Sequence, residues 1–134
     1  MKIFVDASLL IYLNVKLPEN EARLVEQFWL DLLLNHDIYT NILVLDETIY
    51  ISKKKYDVPV TETIEFIDRA VVPYIEILPI GLDEYLKARE YMTKYGLKPS
   101  DAIHLATIEV NGLQAIASED KDFDKTHVKR LWIY

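Results

Sequence analysis

Four short stretches place carboxylates where a carboxylate is costly. "FVDASLLIY" sets Asp6 between the apolar run Ile3-Phe4-Val5 and Leu9-Leu10. "ILVLDETIYI" sets Asp46 and Glu47 inside an apolar pattern. "LKPSDAIHLAT" sets Asp101 just ahead of Ala102, Ile103, Leu105 and Ala106. "IASEDKDFD" packs Glu119, Asp120, Asp122 and Asp124 directly behind Ile116-Ala117. A charge taken out of water must be paired, hydrogen-bonded or bound to a cation.

Each stretch also has a plain structural explanation. Asp6 could cap the helix that follows it. Asp101 falls in the first turn of a helix, where the dipole favours an acid. Leu43, Glu47, Tyr50 and Ile51 share one helical face, yet periodicity alone does not choose between Asp46 and Glu47. One could be a structural ion pair and the other a surface acid. A charge run such as 119–124 is usually a solvated face. Taken together, though, the acids follow a first strand, occupy a helix, open a helix and follow a late strand. A parallel α/β sheet could bring those positions to one edge. Three or four clustered carboxylates cannot all ionise without cations. Oxygen donors alone favour Mg²⁺ or Mn²⁺. Such a site suits phosphodiester hydrolysis, with cations activating water and steadying the leaving oxygen.

The elements that must position these acids alternate. Residues 2–6 read as a buried strand running into a helix. Residues 19–35 read as a helix, with Leu24, Phe28 and Leu32 at four-residue spacing. A strand is expected at 37–40, helices at 42–55 and 60–71, and a strand at 74–80 stopped by Pro79. A helix over 82–95 capped by Gly96 and another from Pro99 to about Val110 follow. Residues 113–118 and 130–134 read as the last strands. Strands separated by helices of this length predict an α/β fold with a mainly parallel sheet. Ligands bind such folds outside the carboxyl ends of the strands.

Composition narrows the function. The 134 residues suffice for one domain with a core, and 51% hydrophobic with 28% charged residues reads as globular. The absence of cysteine removes disulfides, thiol nucleophiles and cysteine-bound zinc, and fits a reducing compartment. Three glycines cannot build a glycine-rich phosphate loop. Fifteen basic residues against 22 acidic ones give a net charge of −7, which disfavours nucleic acid over the whole surface. A cation-neutralised acidic cluster, or lysines gathered on one rim, would still admit it locally. No run reaches the ~18 apolar residues of a membrane span, and a cytoplasmic protein without membrane contact is expected.

The four motifs, in this order and spacing, resemble those of the PIN domain family, and more specifically its VapC-type toxin ribonucleases. The resemblance covers nearly the full length, so residues 1–134 are expected to form a single PIN domain. It implies a three-layer sandwich with a central, mainly parallel sheet of four to five strands flanked by helices. It implies an endoribonuclease dependent on Mg²⁺ or Mn²⁺, with RNA as substrate, a homodimeric state and an antitoxin protein as partner. Carried over by position, Asp6, Glu47, Asp101 and Asp120 match the family's metal-binding acids, and Asp122 matches a further acid that assists. Ser8 matches the small hydroxyl residue after the first acid, and Ser118 stands where threonine is more frequent. Glu119 and Asp124 are expected as surface acids. Asp120 and Asp122 would share one side of an extended segment, with Phe123 turned to the core. Lys53, Lys54 and Lys55 follow the Glu47 helix, and Lys98, Lys121 and Lys125 flank the third and fourth motifs; of these Lys98 and Lys121 could touch phosphates, with ordinary solvated lysines the alternative for each. His104 reads as a satisfied core histidine rather than a ligand, and His36 and His127 as loop residues. Tyr12, Tyr50, Trp29 and Trp132 read as core or dimer interface.

Two other function classes were weighed. A phosphatase with an aspartyl nucleophile would need a second acid in Asp-x-Asp, whereas this chain has Asp6-Ala7-Ser8. Within the resemblance, the alternatives are a non-toxin nuclease of RNA processing and a non-catalytic module binding RNA or protein. The complete acid set argues against the last.

Overall fold

The computed structural model describes residues 1–133. Five strands form one sheet: β1 (Lys2–Val5), β2 (Asp37–Asn41), β3 (Glu76–Leu78), β4 (Ala115–Ala117) and β5 (Lys129–Leu131). Their order is β3-β2-β1-β4-β5, and every neighbouring pair is parallel. Six helices connect them: α1 (Ala7–Asn14), α2 (Glu19–Asn35), α3 (Ile42–Tyr56), α4 (Val60–Phe66), α5 (Leu82–Lys94) and α6 (Pro99–Val110). Helices α1–α4 pack on one another, as do α5 and α6; for this strand order the right-handed crossover rule assigns the two groups to opposite faces of the sheet.

The central strand explains the apolar N-terminal run. Ile3, Phe4 and Val5 are all fully buried, as a strand covered on both faces requires. The order in which strands are added reverses at β1, because β2 and β3 lie on one side of it while β4 and β5 lie on the other. The crevice at the carboxyl ends of β1 and β4 is therefore the expected ligand position. Asp6 directly follows β1 and Ser118 directly follows β4.

Several elements depart from the spacing in the sequence. Val25, Trp29 and Leu32 carry the buried face of α2; of the expected stripe Leu32 is buried and Phe28 packs against the core, whereas Leu24 is exposed. The helix expected over 60–71 becomes π-helical from Ile67 to Val71. The strand expected over 74–80 starts only at Glu76, because the N–H groups of Tyr74 and Ile75 are still bonded to the carbonyl of Val71. Leu113 N–H closes α6 on Ile108 O, which delays β4 to Ala115. The last strand ends at Leu131; Trp132 and Ile133 follow it, and Tyr134 lies outside the described residues. Gly96 does adopt a left-handed φ of 66° after α5, where glycine is least strained.

No loop separates β2 from α3. Asn41 ends the strand and its Oδ1 accepts the Val44 N–H at 3.0 Å, capping the helix that carries Glu47. Its amide also donates to Thr107 Oγ1 at 3.0 Å, tying α3 to α6 under the sheet edge. Asn41→Ala would lose this cap and leave a buried N–H unpaired, so unfolding free energy should fall by about 2–3 kcal/mol. Urea denaturation measures it, and a loss under about 0.5 kcal/mol would show that α3 is held by other means.

Candidate metal centre

Asp6 is nearly inaccessible, at 6% exposed, and its carboxylate is held from two sides. The Ala7 N–H donates to Oδ1 at 2.8 Å and the Ser118 hydroxyl donates to Oδ2 at 2.6 Å. These two hydrogen bonds fix its direction. Ser118 Oγ also accepts the Asp120 N–H at 3.0 Å, and Asp120 Oδ1 accepts the Asp122 N–H at 2.9 Å. One buried hydroxyl thus couples the acid after β1 to the loop after β4. Ser8 has a similar task one layer out, its Oγ accepting the Glu119 N–H at 3.2 Å.

Glu47 enters from α3 and meets His104 of α6 at 3.1 Å, Nε2 to Oε1. His104 is fully buried and stands 3.8 Å from Asp6 Oδ1. The direction of these contacts follows from Asn41. A backbone N–H can only donate, so the Asn41 atom facing Val44 is its oxygen and the atom 3.2 Å from His104 Nδ1 is its nitrogen. Nδ1 is therefore an acceptor, and Nε2 carries the proton that points at Glu47. Burial opposes a charge on the ring. The hydrogen bond with Glu47 and the charges of Asp6, Glu47 and Asp101 outweigh it and raise the histidine pKa. A second proton would have to enter at Nδ1, where the Asn41 amide must first turn away.

Asp101, 7% exposed in the first turn of α6, completes the group. Its pKa is pushed up to about 6, first by burial and then by the charges of Asp6 and Asp120. Donor atoms of Asp6, Glu47 and His104 lie within 4.8 Å of one another, and so do those of Asp101, Asp120 and Asp122. In the first group His104 directs its N–H at Glu47, so it orients that carboxylate instead of offering a lone pair. The remaining donors are all carboxylate oxygens, a hard set suited to Mg²⁺ or Mn²⁺.

These acids open onto a cavity of about 510 Å³. Asp6, Ser8, Glu47, Asp101 and Asp120 line it together with Lys55, Lys98 and Lys121. A negative floor with three ammonium groups on its walls can hold cations and an anionic ligand side by side. Glu119 also lines the cavity, exposed but fixed by the Tyr12 hydroxyl at 2.6 Å.

The structure brings Asp6, Glu47, Asp101 and Asp120 together. Asp122 is exposed and joins through Asp101 and Asp120. Asp46 faces a different, apolar groove between α3 and α4, which settles the choice that periodicity left open. The extended path expected for 120–124 is wrong: Lys121–Lys125 is a short 3-10 helix capped by Asp120. Phe123 nonetheless turns to the core and is fully buried. Of the lysine run, Lys53 pairs with Asp57 and Lys54 contacts Tyr50, leaving Lys55 for the cavity. Trp29 is buried and Tyr12 and Trp132 pack partly against the core, whereas Tyr50 is 56% exposed and does not belong to it. His36 contacts the N-terminal amine, and His127 lies between Glu109 and Tyr95. His104 is the satisfied core histidine its sequence context suggests, but its partner is a site acid. The available signal was its spacing of three residues from Asp101 on one helix.

A search of curated proteins finds no match. Among solved structures, the chain is similar to VapC20 of Mycobacterium tuberculosis, described as a sarcin-ricin loop cleaving toxin. That likeness has a TM-score of 0.77 at 17% identity over 94% of this chain and 95% of that one. A toxin-antitoxin complex from Klebsiella pneumoniae matches with a TM-score of 0.74 at 20% identity over 98% of both chains. FitAcB from Neisseria gonorrhoeae gives 0.70 at 20% identity over 96% of both. Identities this low speak for the fold. The family model of the PIN domain matches residues 3–129, nearly the whole chain, and the chain therefore belongs to the PIN domain family.

Proposed function

We propose that this chain, as one PIN domain over residues 1–134, is an endoribonuclease dependent on Mg²⁺ or Mn²⁺ and the toxin of a toxin-antitoxin pair. The observation that carries the reading is the convergence of Asp6, Glu47, Asp101 and Asp120 on one lysine-walled cavity in a PIN-family chain. Asp6, Glu47, Asp101 and Asp120 would hold the cation, with Asp122 at its outer side. The residues fit one: the donors are oxygens, and burial together with the charges of Asp6 and Asp120 raises the Asp101 pKa, an opposition to its charge that a cation would relieve. When bound, the ion lowers the pKa of water and stabilises charge on the phosphate oxygens.

The chain's own groups do the rest. Ser118 and the Ala7 N–H hold the Asp6 carboxylate in place from two sides. His104 orients Glu47. Lys98 and Lys121, at the cavity wall, would contact phosphates of the RNA, and Lys55 extends that wall. With a net charge of −7, such contacts are local, and the shape of the RNA is expected to set the choice of substrate. The toxin part of the reading leans on the solved relatives described as toxins and toxin-antitoxin complexes. It brings with it an antitoxin partner, a homodimer and a cytoplasmic location. Among the described residues no helix is long and apolar enough to cross a membrane.

Purified protein should cleave structured RNA with Mn²⁺ and stop on addition of EDTA. Asp6→Asn and Asp101→Asn should each reduce cleavage by about a hundredfold or more, since each removes charge that holds the ion. Cleavage that survives EDTA or both substitutions would refute metal-dependent catalysis at these acids.

The raised Asp101 pKa has a consequence for stability without metal. The folded state holds this proton more tightly than the unfolded chain, whose aspartates titrate near about 4. The resulting stabilisation is complete below that value and is lost as pH rises through about 6. In EDTA, wild type should therefore lose stability relative to Asp101→Asn between about pH 4 and 7, and regain it with Mn²⁺. Thermal melts of both proteins across this range measure it. Parallel pH profiles for the two would mean that Asp101 is not held protonated.

A further inference from the structure

Strand β5 closes one edge of the sheet beside β4, and its middle residue, Arg130, reaches back over the loop that precedes it. Its Nη1 donates to the carbonyl of Ser118 at 3.1 Å. Its Nε and Nη2 donate to the two carboxylate oxygens of Asp124 at 2.9 and 3.1 Å. One planar guanidinium thereby pins both ends of segment 118–124, which carries Glu119, Asp120 and Asp122. The Ser118 N–H is itself bonded to Leu131 O at 3.1 Å, so the first pinned point is fixed to β5 twice.

Between those points, the chain is threaded through the candidate metal centre. Ser118 Oγ holds Asp6 and the Asp120 N–H, and Asp120 Oδ1 holds the Asp122 N–H. A shift of the Ser118 carbonyl or of residue 124 would move Asp120 and Asp122 against Asp6 and Asp101. Arg130 is mostly shielded while Asp124 is more than half exposed. An ion pair so placed adds little stability by itself. What the fork adds is geometry, since three N–H groups in one plane fix two acceptors relative to each other. Neither residue lines the cavity.

We propose that Arg130 is a positioning residue for the divalent-cation site: by clasping the Ser118 carbonyl and the Asp124 carboxylate, it holds Asp120 and Asp122 in the arrangement that binds the ion. The inference rests on the metal-dependent reading above and extends it to a residue outside the acid motifs.

The test is Mn²⁺ binding to the full chain by calorimetry, paired with RNA cleavage against Mn²⁺ concentration. The variants are Arg130→Gln, Arg130→Lys, Asp124→Asn and the double Arg130→Gln/Asp124→Asn. Arg130→Gln should weaken Mn²⁺ affinity about tenfold or more, with an equal rise in the Mn²⁺ needed for half-maximal cleavage. The rate at saturating Mn²⁺ should change by less than about threefold, because no group that touches substrate is lost. Arg130→Lys should not rescue, since an ammonium keeps the charge without the fork. The double variant should bind Mn²⁺ no more weakly than Arg130→Gln, because both changes break one clasp. Asp124→Asn, on the exposed side, gives the reading if the Arg130 variants fail to fold. Affinities within about twofold of wild type in the folded variants would overturn the proposal even if melting temperatures fall. Full rescue by lysine would overturn it too, replacing geometry with charge. A wild-type chain that neither binds Mn²⁺ nor cleaves RNA would instead sink the nuclease reading itself.

Discussion

Asp6, Asp101 and Asp120 are gathered at the carboxyl ends of β1 and β4, and the surrounding structure answers their mutual repulsion. Each answer is local and visible. Asp6 receives two hydrogen bonds, from a backbone amide and from Ser118. Glu47 receives one from His104. Asp101, in the first turn of α6, keeps a proton well above the usual aspartate range. These devices hold the acids in place, and they leave the cavity open to a cation that would neutralise the charge that remains.

The fold supplies this meeting point by topology. Because β1 lies in the middle of a parallel sheet and the strand order switches to its other side at β4, residues 6 and 118 become neighbours although 112 positions separate them. Helices α3 and α6 then deliver Glu47 and Asp101 from opposite sides, and Asn41 joins the two helices by bonding Val44, His104 and Thr107 at once. The same amide that caps α3 fixes the tautomer of His104. A substitution at Asn41 would disturb fold and site together.

What the sequence revealed follows the range over which each signal acts. Asp6 was conspicuous because the charge interrupts an apolar run, and β1 with its following helix was equally plain. Glu47 could not be told from Asp46 by helical spacing, because both lie near the edge of the apolar face. In the structure Glu47 turns to the cavity and Asp46 to the apolar groove beside α4. The loop after β4 was read as extended from alternating acids, but Asp120 captures the Asp122 N–H and starts a 3-10 turn. Side chains that bond nearby backbone in this way override alternation. Strands β3 and β4 are shorter than their apolar runs, since the preceding helical turns still use the N–H groups of Tyr74, Ile75 and Leu113. Arg130 left no local trace: it meets Ser118 across twelve residues and acts only through the folded edge.

The site depends on one physical proposal, that a divalent cation completes the carboxylate cluster. Anomalous diffraction from crystals of the full chain grown with Mn²⁺ tests it directly. The prediction is a manganese peak inside the cavity, ~2.2 Å from carboxylate oxygens of Asp6, Asp101 and Asp120. A cavity without a peak at millimolar Mn²⁺, or manganese held only by acids outside it, would contradict the account.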